Sequence, residues 1–200
     1  MDVTERILSQ SAELFIKSGI KAITMDDISR EVGVSKRTIY ENFKDKDELL
    51  RACLIYIDNY YNKDKEALIR ESKNTIDMMF KILKHGIQLI STINPLFMTD
   101  LKRYHYRVWK ETHKINTEKH LAQTYTMLKK GINEGLYRND IDIEIVAKLL
   151  HEQLRIMTDE QIFPSSKYSI KAVFENILIN FMRGIATRKG LELIENYQRD

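Results

Sequence analysis

Apolar residues in the first fifty positions recur every three or four residues in three short runs, and each run ends at a residue that stops a helix. Ile7, Leu8, Ala12, Leu14 and Phe15 make the first stripe and predict an amphipathic helix over 3–18, with Gly19 as its stop. Ile20 and Ile23 come next in a loop and are expected to pack beneath the next two helices. Thr24 can N-cap the second helix, with Asp27 three residues on as a variant of the capping box. Ile28 and Val32 then share a face, Gly33 ends the helix and Val34 turns inward. Ser35 caps a third helix, in which Ile39 and Phe43 form the apolar pair. Two short helices bury too little surface alone, so the first helix completes a three-helix core.

Beyond residue 46 the helical period continues. A longer helix is expected over 47–72, capped by Asp45 or Asp47, with Leu49, Leu50, Leu54, Ile57 and Tyr61 on its apolar face. A charged stretch, NKDKEALIRESKN, closes it at a turn near Asn74. Another apolar-rich helix spans 75–93 and ends at Asn94-Pro95. Residues 96–106 read as a shorter helix or an irregular segment. A long helix over 108–134 has Trp109, Ile115, Leu121, Tyr125, Leu128 and Ile132 as inward candidates, with Gly135 as its stop. Asp140 or Asp142 caps a helix to about Met157, and Pro164 breaks the chain. A last major helix runs from about Ser169 to Thr187. Gly190 is expected to interrupt the helical pattern there, leaving Leu191, Leu193 and Ile194 to a short terminal helix. The result is an all-α chain, with a small helix-turn-helix domain over 1–46 and a helical body over 47–200.

Composition agrees with that class. The 200 residues are 43% hydrophobic and hold only 2 Pro and 7 Gly, as suits a helical chain with a real core. No run of about 18 apolar residues predicts a membrane span, and the N-terminus lacks the pattern of a signal peptide, so a cytoplasmic location is expected. The single cysteine, Cys53, lies among Leu49, Leu50 and Leu54 and reads as a core residue; a redox role has no second cysteine in the chain to resolve it.

Net charge of +3 favours nucleic acid only weakly, and residues 1–50 carry eight Lys and Arg against ten Asp and Glu. What changes the picture is local. Lys36, Arg37, Thr38, Tyr40 and Asn42 lie opposite the Ile39–Phe43 stripe, with Glu41 as the only acid on that face. A helix that reads DNA needs this layout, because apolar residues lock it to its support while its N-terminal part offers polar groups to base edges and phosphates. Lys36 and Arg37 are the candidates for bases, since both pair well with guanine O6 and N7. Thr38 suits a base or a phosphate. Thr24, Ser35 and Lys46 are placed as phosphate anchors near helix N-termini.

Residues from about 7 to 54 resemble the DNA-binding region of the tetracycline-repressor (TetR) family of bacterial regulators. Ile7, Ala12, Phe15, Gly19, Thr24, Ile28, Gly33, Val34, Ser35, Ile39, Tyr40, Phe43, Lys46, Leu49 and Leu50 carry the likeness in register; Ser29 stands where the family often has alanine. The stretch GLYRNDIDIEIVAKLL resembles the junction before the family's last two helices. The resemblance implies a repressor that binds double-stranded, pseudo-palindromic operator DNA, with Tyr40 donating to a phosphate. It also implies a homodimer, which a helix that sees only a few base pairs needs for useful specificity. Helices 143–157 and 169–187 are the candidate interface, through Ile145, Leu149, Leu150, Leu154, Val173, Phe174, Ile177, Leu178 and Phe181, more apolar residues than one inward face requires. A small apolar or amphipathic effector would enter the body and shift the spacing of the two heads. Met78, Met79, Leu83, Ile87, Phe97, Met98, Tyr104, Trp109 and Tyr125 are the candidate lining.

Two other classes compete. An enzyme or metal protein would use His85, His105, His113, His120 or His151, but these show no compact ligand spacing, no phosphate loop and no nucleophile elbow. No catalytic residue, metal ligand or cofactor is therefore expected. An effector-free DNA-binding adaptor, whose body binds another protein, would have a filled core and an exposed apolar patch.

Overall fold

A computed structural model describes residues 2–199 and places ten helices there. They are α1 (Val3–Ser18), α2 (Met25–Val32), α3 (Lys36–Asn42), α4 (Lys46–Arg70), α5 (Thr75–Thr92), α6 (Pro95–Tyr104), α7 (Tyr106–Asn133), α8 (Ile143–Ile156), α9 (Ile170–Ile185) and α10 (Arg188–Arg199). None of these is long and apolar enough to cross a membrane. The contacts divide the chain into two units, one of residues to Lys63 with Thr92–Asn116, the other of Asp64–Ser91 with Thr117 onward. The first unit thus extends past residue 46 and takes in α6 and the start of α7.

In the first unit the expected stops and caps set the helix ends. Asp2 accepts from the Val3 amide to begin α1, and Thr24 and Asp27 form a reciprocal capping box at α2. Gly33 takes φ 67° and ψ 38°, a left-handed conformation that glycine adopts without a Cβ clash. Ser35 caps α3, and Asp45 Oδ1 accepts from the Glu48 amide to start α4. The core gathers Ile7, Phe15, Ile20, Ile28, Ile39, Leu49 and Leu50, all fully buried. Each such side chain contributes about 1.5–3 kcal/mol by leaving water. Phe97 and Leu101 of α6 and Val108 of α7 close the same core. Cys53 is buried there too, and burial pushes its thiol pKa up, which disfavours the reactive thiolate.

The second unit packs α5, the C-terminal part of α7, and α8 to α10 around Ile76, Met79, Leu83, Leu128, Leu150, Phe174, Leu178, Met182 and Ile194. The segment after Gly135 pairs with the α9–α10 junction: the Arg138 amide donates to Ile185 O at 2.8 Å and the Thr187 amide to Leu136 O at 3.0 Å. Gly190 does not interrupt α10. It lies inside that helix because an added Cβ would come within 2.3 Å of the Leu136 carbonyl oxygen, so the residue serves close packing. Ile115, expected inward, is 62% exposed. The long α7 has no single apolar face along its length, so spacing alone misplaces residues on it.

Candidate nucleic-acid interface

The outward face of α3 is built from its own N-cap and its buried neighbour. Ser35 Oγ accepts from the Thr38 amide at 3.0 Å and shares a 2.8 Å hydrogen bond with Thr38 Oγ1, while Ile39 is fully buried beneath. That anchor turns the rest of the short helix outward. Arg37 is 87% exposed and its Nε donates to Glu41 Oε1 at 2.8 Å. Lys36 Nζ lies 2.9 Å from Asp26 Oδ1 and donates to its Oδ2 at 3.0 Å, and this hydrogen bond raises the lysine pKa, holding its charge. Tyr40 is 46% exposed, with its phenol on the same face. Two cations and an amphipathic aromatic ring together can meet phosphate oxygens and base edges.

Other expected contacts are engaged within the protein. Asn42 Nδ2 donates to Thr38 O, and its Oδ1 accepts from Thr4 Oγ1 at 2.8 Å, tying α3 to α1. Thr24 spends its hydroxyl on the Asp27 carboxylate, which that bond holds below its usual pKa. Lys46 departs furthest from a free phosphate anchor. Its Nζ donates to Ile20 O at 2.6 Å and also to Ile23 O, and burial lowers its pKa. Two of its three N–H donors therefore hold the α1–α2 loop.

The other side of that loop is held by a residue the sequence did not single out. Asp100 of α6 is buried, and its Oδ2 accepts from the amides of Ile20 at 2.9 Å and Lys21 at 2.8 Å. Asn94 adds bonds to the end of α1 at Ile16 O and Lys17 O. Glu111 of α7 accepts from Arg107 and Arg51, which together lower its pKa, and His105 meets Asp47 at 2.6 Å. The only hint in the sequence was that Asp100 is the lone acid in an apolar and basic helix. Its partners lie about 80 residues away, beyond any local pattern.

The expected effector lining divides between the two cores. Phe97, Met98 and Trp109 pack in the first unit, where Tyr104 is exposed beside Lys21. Met79, Leu83, Ile87 and Tyr125 pack in the second unit, where Met78 is also buried. The expected interface residues divide as well. Leu150, Val173, Phe174 and Leu178 are buried within the second unit, while Ile145 and Leu149 are exposed, and Leu154, Ile177 and Phe181 are half-buried. Leu149, Val173, Ile177 and Phe181 line an open, largely apolar groove of about 730 Å³ beside α8 and α9. Among the histidines, His113 stacks on Trp109, and His151 bonds Thr124 Oγ1 at 3.1 Å near His120. No group of three or more His, Cys, Asp or Glu that could hold a metal ion is found among the described residues.

In comparison with known proteins, residues 7–53 match the family model described as bacterial regulatory proteins, tetR family. An uncharacterized HTH-type transcriptional regulator of Bacillus subtilis, YerO, is 30% identical over 76% of this chain, which spans about half (55%) of YerO's own length. The HTH-type transcriptional repressor KstR2 of Rhodococcus jostii is 24% identical, with 73% of each chain aligned. Among solved structures, a transcriptional regulator from Cytophaga hutchinsonii matches with a TM-score of 0.75 at 15% identity, covering 92% of this chain and 98% of its own.

Proposed function

We propose that this chain, whose residues 7–53 match the tetR family of bacterial regulatory proteins, is a DNA-binding transcriptional regulator of that family, a repressor that works as a homodimer. The carrying observation is the outward face of α3, with Arg37, Lys36 and Tyr40 projecting from a support whose apolar side is fully buried. In this reading Arg37 and Lys36 contact bases, and Tyr40 donates to a phosphate. Thr24, Ser35 and Thr38 hold the helix ends beside the phosphates, and Asn42 and Lys46 keep the reading helix and its loop in register. A dimer would present two such helices to half-sites roughly 34–36 Å apart, or a multiple of that spacing.

The groove beside α8 and α9 supports a second copy as its occupant, with Ile145 and Leu149 as the exposed apolar contribution. An effector is proposed for the second unit, where Met79, Leu83, Ile87 and Tyr125 offer adaptable apolar contacts. A ligand that prefers the head spacing unsuited to DNA lowers operator affinity by its differential affinity for the two states, typically about 5–150-fold. Selecting duplexes from a random-sequence pool with the purified protein tests the reading. A pseudo-palindromic site bound in a salt-sensitive way is expected, and no enrichment over the input pool refutes it.

A further inference from the structure

The cations of the reading face are already paired with acids of the same domain. Lys36 Nζ lies 2.9 Å from Asp26 Oδ1, Arg37 Nε lies 2.8 Å from Glu41 Oε1, and Arg30 meets Asp27. Residues 1–50 also carry eight Lys and Arg against ten Asp and Glu, an unusual balance for a surface that must approach a polyanion. The fold has little need of these pairs. Exposed ion pairs contribute little to stability, and α3 is capped by Ser35 and anchored by Ile39 without Glu41. Glu41 is 57% exposed and sits one turn from Arg37 on the face that meets DNA.

Binding to arbitrary duplex comes from cations meeting phosphates and releasing counterions. On this face the Glu41 carboxylate, held at the Arg37 Nε, offsets the arginine's charge and comes against phosphate wherever the guanidinium approaches one. A carboxylate can accept from the N4 amino group of cytosine, just as a guanidinium can donate to O6 and N7 of guanine. A site that offers both groups satisfies both side chains; other sequences satisfy at most the arginine. Resting on the DNA-binding reading above, we propose that Glu41 is a specificity-determining residue, which weakens binding to arbitrary duplex and is compensated only where a cytosine amino group lies within its reach. Asp26 acts the same way on Lys36, without reading a base.

The test compares wild type with Glu41→Gln and with a charge-matched control, Glu13→Gln. Glu13 lies on α1 and is paired with Lys17 at 2.5 Å, so its change adds the same charge away from the reading face. The probes are a random-sequence duplex and the duplex that wild type selects from a random pool, each titrated by anisotropy across a salt series. Circular dichroism melting confirms that the variants are folded. Glu41→Gln is expected to bind the random duplex about three- to tenfold more tightly, with a salt slope steeper by about 0.9. The selected duplex gains nothing or weakens, so the specificity ratio falls by about tenfold, and a repeat selection loses its cytosine preference at one position. Equal gains on both probes, matching those of Glu13→Gln, overturn the proposal in favour of bulk charge. An unchanged random-duplex affinity overturns it too. A wild type that binds no duplex at low salt refutes the DNA-binding reading itself.

Discussion

Arg37 stands out from α3 with its guanidinium against Glu41, and the chemistry proposed for it depends on how easily that contact is exchanged. Replacing Arg37 with alanine is expected to weaken binding to the selected duplex by about 1–3 kcal/mol and to relax base choice at one position. Tyr40→Phe should weaken binding to all sequences alike, and anisotropy titrations on matched and mutated duplexes separate the two effects. A different single-residue behaviour belongs to His151. Burial, and next the neighbouring His120, lower its pKa below the ordinary histidine value of 6.5. The unfolded chain then takes up the proton first, so stability is full above pH 6.5 and falls as pH drops through the lower folded value. Thermal melts from about pH 7.5 to about pH 5 should show that loss in wild type and a shallower one in His151→Gln. Equal pH dependence in both would remove His151 as the cause.

At the scale of helices and turns, most of the first fifty residues could be read in advance. Thr24, Gly33 and Ser35 act within one turn of their own positions, and their roles derive from local hydrogen bonding and φ preference. Gly33 gives a clean check. An added Cβ meets no atom within 4 Å, so Gly33→Ala tests backbone strain alone and is expected to cost about 1 kcal/mol, read as a lower Tm. Gly190 has the composition of a breaker and is not one, because the Leu136 carbonyl that requires its small size lies more than fifty residues away. The α1–α2 loop makes the same point for the candidate site. Lys46 and Asp100 grip its carbonyls and amides from two sides, and only the Lys46 side fell within the stretch that local patterns describe.

For the whole molecule, the proposed dimer and the proposed operator stand together, since one reading helix sees too few base pairs to act alone. Leu149 is 57% exposed in the groove beside α8 and α9, so a charge there should disturb a partner without opening the core. Leu149→Glu is expected to shift the protein from dimer to monomer in sedimentation and to lower affinity for a palindromic duplex at least about tenfold, the melting of the monomer being little changed. A variant that stays dimeric would move the interface elsewhere.

Most of the helices, the caps at Thr24 and Ser35 and the buried stripes of the first unit were legible from the chain, because each depends on neighbours within one or two turns, whereas residues 96–106 stayed open between a helix and an irregular segment. Three-dimensional packing alone settled which candidates share a core. It put Phe97 and Trp109 with the first unit and Met79 and Leu83 with the second, tied Asn42 to Thr4, turned Lys46 onto the α1–α2 loop, left Ile115 in water and gave Asp100 its two amides. Such choices rest on contacts between residues far apart in sequence. Helical spacing says which side of a helix is apolar, but not what that side will meet.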